Sequence, residues 1–134
     1  MKWCRRGLIF VLLLGLLCSC NSMDRKTKGT EYSFAVVSAK DIPEELLRQI
    51  NDQKQNPFQM SFLDENYLYV AVGYGEQNTG GYSIQVDSIT DDGEKLQFVS
   101  HLIGPKEEEN VRKKVSFPFI VIKMEKMDRD IIYQ

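Results

Sequence analysis

The segment Tyr67-Leu68-Tyr69-Val70-Ala71-Val72-Gly73-Tyr74 carries few polar side chains on either alternate face. A β-strand points successive side chains to opposite sides of its sheet, so this run needs cover on both. It predicts a central strand, which in turn demands neighbouring strands and layers above and below. Candidates lie on either side of it. Phe58, Met60 and Phe62 alternate with Gln59 and Ser61, and Asp64-Glu65-Asn66 turns the chain into the central run. After a glycine-rich loop from Gly75 to Gly81, Tyr82, Ile84 and Val86 alternate with Ser83, Gln85 and Asp87. Asp91-Asp92-Gly93 is a hairpin turn signal, and Glu94 to Ile103 is the expected partner strand.

Three more strands are expected. Val115 to Glu125 places Phe117, Phe119 and Val121 on one face and Ile120 and Ile122 on the other. Pro118 has no N–H to donate, which predicts an edge position or a bulge. Tyr32 to Ser38 is rich in β formers, and Asp130 to Tyr133 suits a last short strand. A single helix interrupts the pattern. Asp41 or a neighbour caps it, Pro43, Glu44 and Glu45 suit its first turn, and Leu46, Leu47 and Ile50 share one face. It ends between Gln53 and Asn56, because Pro57 disfavours helix in the residue before it. The expected fold is mainly β: a small antiparallel β-sandwich-like domain with one α-helix near its N-terminus.

The first residues follow different rules. A basic head (Lys2, Arg5, Arg6) precedes an apolar run from Leu8 to Leu17, then small residues and a cysteine. That is the layout of a secretory signal peptide. The ending Leu17-Cys18-Ser19-Cys20 looks like a bacterial lipobox, with cleavage before Cys20 and acyl chains on its thiol. Cys18 is the poorer acceptor, because bulky Leu17 would then occupy the position before the cut. A spanning helix wants about 20 apolar residues, and polar Asn21, Asp24, Arg25 and Lys26 arrive too soon. Three segments are expected: a leader over 1–19, the lipidated Cys20 with a mostly polar tether over 20–30, and a β domain over 31–134. The expected place is a cell membrane, on its extracytoplasmic face.

Removing the 19 leader residues leaves 115 of 134, enough for one core without staples. All 19 acidic residues remain, whereas Lys2, Arg5 and Arg6 leave from the 17 basic ones, so the mature chain has a formal net charge of −5. A nucleic-acid partner is disfavoured, since phosphates need a basic face. Cys4 and Cys18 leave with the leader and lipid consumes Cys20, so no thiol remains for a disulfide or a nucleophile.

Signals for chemistry are sparse. The chain has one histidine, His101, which excludes multi-histidine metal sites and leaves a serine triad one available base. It lies in Phe98-Val99-Ser100-His101-Leu102, where a half-buried or surface strand histidine is expected. Glu107-Glu108-Glu109 suits a solvated loop face. Gly73-Tyr74-Gly75 lacks the following helix and Gly-Lys-Ser/Thr ending of a phosphate loop. No enzyme activity, cofactor or metal is expected. The most distinctive local feature is Asn78-Thr79-Gly80-Gly81-Tyr82, whose glycines permit φ > 0 and close approach by another chain. It suits either a hairpin connection or a recognition loop on a β scaffold.

Tyr67-Leu68-Tyr69-Val70-Ala71-Val72-Gly73, Asn78-Thr79-Gly80-Gly81-Tyr82-Ser83-Ile84 and Val115-Ser116-Phe117-Pro118-Phe119-Ile120-Val121-Ile122-Lys123 together resemble the PrcB C-terminal domain family. That resemblance implies a small antiparallel β domain with one helix. The family includes a lipoprotein subunit that stabilises the protease of a bacterial surface complex. Phe117, Pro118 and Phe119 would then be structural motif residues, and Asn78 to Tyr82 the partner-binding loop. The same loop is similar, more loosely, to the Asn-Pro-Thr-Thr-Gly-Tyr loop of chagasin-type cysteine-protease inhibitors. This chain lacks the proline, adds a glycine, and has Ile84 where a tryptophan is usual. The expected function is a lipid-anchored, non-catalytic domain that docks on an exported protein, such as a protease, and stabilises or positions it. The alternatives are a protease inhibitor using that loop, or a general binding or structural lipoprotein of the envelope.

Overall fold

The computed structural model describes residues 29–106 and 111–134. The expected leader, Cys20, nearly all of the tether and Glu107-Glu108-Glu109 lie outside the described residues. In chain order come β1 (Thr30–Glu31), β2 (Ala35–Val36), one 3-10 turn (Ala39–Asp41), α1 (Glu44–Gln53), β3 (Pro57–Leu63) and β4 (Tyr67–Tyr74). They are followed by β5 (Ser83–Asp91), β6 (Lys95–Ile103), β7 (Phe119–Glu125) and β8 (Asp130–Tyr133). The strands form two four-stranded sheets, β1-β5-β6-β8 and β2-β7-β4-β3. Among the described residues the chain is mainly β with one α-helix, as its periodicity predicts.

Strand β4 lies between β3 and β7, and Leu68 to Gly73 are all buried. Leu68, Val70 and Val72 face the other sheet and pack with Ile89, Leu96, Phe98, Ile122 and Met124. Tyr69 and Ala71, on the opposite face, pack with Ile42, Leu46, Ile50, Phe58 and Val121 beneath the helix. The layers are therefore sheet, sheet, helix. In α1, Leu46 and Ile50 stand one turn apart and are completely buried, while Glu44 and Glu45 sit at the electropositive N-terminus.

Gly73 makes room for a ring from the neighbouring strand of its own sheet. In register it lies between Phe58 on β3 and Phe119 on β7. A Cβ there would stand within the Phe58 ring, so the missing side chain is the space that the phenyl group fills.

The turns follow from aspartates. Asp64 Oδ1 accepts the backbone N–H of Tyr67 at 2.6 Å and of Asn66 at 2.7 Å, closing the β3–β4 turn. Asp92 Oδ1 does the same for Lys95 at 2.8 Å and Glu94 at 2.9 Å in the β5–β6 hairpin, where Gly93 has φ 98°. These N–H groups hold both carboxyls below their ordinary range.

Several expectations need correction. Tyr32 to Ser38 is not one strand: β1 pairs with β5 in one sheet and β2 with β7 in the other. The chain crosses between sheets here, anchored by Tyr32 N–H to Ile89 O at 3.0 Å and Val37 N–H to Val121 O at 2.8 Å. Asp41 does not cap the helix. Its carboxylate accepts from Ser38 Oγ at 2.6 Å, and Pro43 holds the N-cap position without a side-chain bond. The strand expected from Val115 begins only at Phe119, and β7 is interior, so Pro118 precedes the strand instead of sitting at an edge or bulge within it. Last, β8 runs parallel to β6, whereas the other strand pairs among the described residues are antiparallel.

Two outcomes test this packing. Gly73→Ala is expected to destabilise the domain by about 1–3 kcal/mol through overpacking, and Phe58→Leu in the same chain should recover part of the loss in urea unfolding. Tyr133, packed on Phe98 with ring centroids 5.8 Å apart, has its phenol pushed up to about 12 by burial. An unfolded tyrosine ionises near pH 10 while the folded one keeps its proton. Its contribution is therefore complete below about pH 10 and lost as pH rises toward about 12. Burial also raises the Tyr69 phenol, so phenolate absorbance during alkaline titration should show late ionisation that Tyr133→Phe reduces without abolishing.

Candidate functional site

The loop between β4 and β5 leaves one sheet at Tyr74, which pairs with Pro57, and enters the other at Ser83, which pairs with Ile103. It leaves β4 through Gly75, which has φ 75°; a Cβ there would lie 2.9 Å from Pro57 Cδ. Glu76 N–H donates to Gln55 O at 3.0 Å. Gln77 and Ser116 exchange two backbone hydrogen bonds, of 2.9 and 3.0 Å. Ser116 Oγ donates to Thr79 O at 2.6 Å, and Gly80 N–H donates to Arg112 O at 3.0 Å. The loop is thus fastened along its length to the segment before β7.

Within it, Asn78 and Gly81 are exposed, whereas Thr79, Gly80 and Tyr82 are half-buried. The two glycines differ. Gly81 has φ 84° and would bring a Cβ to 3.0 Å from Pro105 Cβ, while Gly80 lies outside the positive-φ region and would meet nothing nearer than Arg112 Cβ at 3.6 Å. Only Gly81 uses the backbone freedom expected of both. Tyr82 lies against Gly104, where a Cβ would be 3.8 Å from its Cε1.

Phe117, Pro118 and Phe119 are half-buried beside this loop. Tyr74 N–H donates to Pro118 O at 3.1 Å, which extends the β4–β7 pairing past the end of β7. Phe119 packs on the helix-side core, and Lys54 Nζ stands 5.6 Å from the centre of the Phe117 ring. The structure therefore brings the two motif segments together. It adds Ser116, Arg112 and Pro105, for which the sequence offers no local signal, because each acts on residues far away in the chain.

The remaining chemistry-bearing residues stand apart. His101 Nδ1 lies 2.7 Å from Asp87 Oδ2 on the solvent-facing side of β5 and β6, with 52% of the histidine side chain exposed. Asp87 sits at a bulge, where the register shifts between Val86 and Ser88. A solvated pair of this kind contributes about 0–1 kcal/mol. Among the described residues no group of three or more His, Cys, Asp or Glu is placed to hold a metal ion, and no helix is long and apolar enough to cross a membrane.

The difference between the glycines gives a stability test. Gly81→Ala should cost about 1–3 kcal/mol through its left-handed backbone, while Gly80→Ala should stay within about 0.5 kcal/mol of the parent. Ser116→Ala should lose about 1 kcal/mol with the Thr79 bond. Thermal unfolding of the three variants checks the order.

Residues 68–125 match the model of the PrcB C-terminal family. No curated protein and no solved structure matches the chain. The matched stretch runs from Leu68 in β4 to Glu125, the last residue of β7, and contains both the loop and the segment that fastens it. Over that stretch, which is less than half of the chain, the protein is similar to the PrcB C-terminal family, as its sequence motifs suggest.

Proposed function

We propose that this chain is a lipid-anchored, extracytoplasmic, non-catalytic docking domain that stabilises or positions an exported protein, with a protease as the favoured partner. The observation that carries the reading is the placement of the loop relative to the chain's point of entry. Thr30 faces Asp91 at one end of β5, while the Asn78–Tyr82 loop enters β5 at its other end, at Ser83. The strand's 9 residues span about 27–30 Å at about 3.3 Å per residue. The described chain therefore enters at the hairpin end of β5, and the loop lies at the end farther from that entry.

The loop suits docking because it is already ordered. Its hydrogen bonds to Ser116 and Arg112 are made within the domain, so a partner need not supply the entropy of fixing it. Exposed Asn78 and Gly81 offer a side-chain amide and a bare stretch of backbone. The lipid would confine both partners to one surface, raising their effective concentration so that modest affinity suffices.

Two variants separate anchoring from docking. Cys20→Ser should abolish fatty-acid labelling and release the protein from membranes; unchanged retention and labelling would sink the anchor. Asn78→Arg, which alters an exposed position, should lower recovery of the cross-linked exported partner by about tenfold or more. Equal recovery by the folded variant would remove the loop from the interface.

A further inference from the structure

The side of the sandwich opposite the β1–β2 crossover carries a second surface. There β3 ends one sheet and β8 ends the other. The four edge strands are unequal: β1 and β2 have 2 residues each and β8 has 4, but β3 has 7. Natural edges are blunted by charge, proline, bulges or shortness. The β3 sequence Pro57-Phe58-Gln59-Met60-Ser61-Phe62-Leu63 contains no charged residue, its one proline is its first residue, and its pairing with β4 runs without a bulge.

The register says which backbone groups are free. Asp64, which continues the β3–β4 ladder past Leu63, donates its N–H to Tyr67 O at 3.0 Å. Hydrogen-bonded pairs alternate in an antiparallel ladder, so Phe58, Met60 and Phe62 turn their backbone groups toward β4. Gln59, Ser61 and Leu63 turn theirs outward, and among the described residues no backbone partner meets them.

Beside this edge lies a groove of about 580 Å³, lined by Pro57, Gln59, Tyr74, Ser100, Tyr133 and Gln134 among others. It forms because β3 overhangs the neighbouring sheet: Gln59, Ser61 and Leu63 face that sheet yet remain exposed. Tyr74 OH and Ser100 Oγ lie 3.0 Å apart across its floor. The lining includes aromatic rings, hydroxyls and amides but no charged side chain.

We propose that β3 accepts an extended segment of another polypeptide as a fifth strand of its sheet, with an uncharged side chain of that segment entering the groove. Backbone hydrogen bonds to Gln59, Ser61 and Leu63 supply affinity, and the groove supplies selectivity. Charge matching sets the chemistry of the occupant: the side chains of both edge and groove are uncharged, in a domain that is otherwise acidic. A charged residue would be desolvated there without a side-chain counterion. A second copy is the less suitable occupant, because antiparallel pairing of β3 with itself inverts one molecule and sends its Thr30 end the opposite way.

The test uses the full chain in detergent and a display library of short random peptides, with selected peptides resynthesised for binding and amide-exchange measurements. Bound peptides should protect the amides of Ser61 and Leu63. They should carry uncharged residues at the anchoring position and weaken about tenfold in Ser61→Pro, the loss of roughly 1.4 kcal/mol in hydrogen bonding. Ser61→Lys should weaken them similarly, which covers a failure of the proline variant to fold. Gly80→Ala should leave their affinity unchanged, so the result stands or falls separately from the loop. Failure to select any binder, binders that leave those amides exchanging, or a dimer that Ser61→Pro dissociates would each overturn the proposal.

Discussion

Between Leu68 and Gly73 the central strand has no side exposed to water, and the remaining layers can be understood as the covers this requires. One face needs a broad apolar surface, which β5 and β6 provide through Ile89, Leu96 and Phe98. The other face, which carries Tyr69, Ala71 and Gly73, is covered by a single helix through Leu46 and Ile50. The space left by Gly73 is filled from its own sheet, by Phe58.

Local periodicity was enough to reveal most of this. Alternation along Ser83 to Ile89, the two-sided run of β4 and the Asp-Gly hairpin are properties of neighbouring residues, which sequence displays directly. The failures share a different cause. Tyr32 to Ser38 has strand composition throughout, but it crosses from one sheet to the other, and only the positions of β5 and β7 determine where pairing stops. Ser116 to Pro118 likewise has strand-like residues, yet its backbone engages Gln77 in the loop and Tyr74 at the end of β4 rather than a continuous ladder. The parallel direction of β8 depends on residues 126–129 crossing from the β7 sheet to the β6 sheet, which leaves no periodic trace.

The loop shows the same division. Its glycines mark it in sequence, but composition does not distinguish Gly80 from Gly81; that distinction comes from Pro105, whose Cβ lies where a side chain on Gly81 would project. Nor does sequence reveal that Ser116 holds the Thr79 carbonyl. Fastening alters the chemical reading of the loop. A free glycine-rich segment would lose entropy of about 1–2 kcal/mol for each residue fixed on binding, whereas this one has been fixed by folding.

The two sides of the sandwich also manage their edges differently. On one side the crossover between β1 and β2 joins the sheets and leaves only 2-residue strands at the rim. On the other, β3 and β8 belong to different sheets, and the longer edge projects beyond its cover. An unprotected edge carries an aggregation hazard, and one lysine on β3 would reduce it at little cost to the core, because Gln59 and Ser61 are already exposed. The absence of charge along all 7 residues therefore calls for a physical reason. Pairing with a neutral extended segment provides one, since the groove beside Tyr133 and Ser100 gives that segment's side chains somewhere to go.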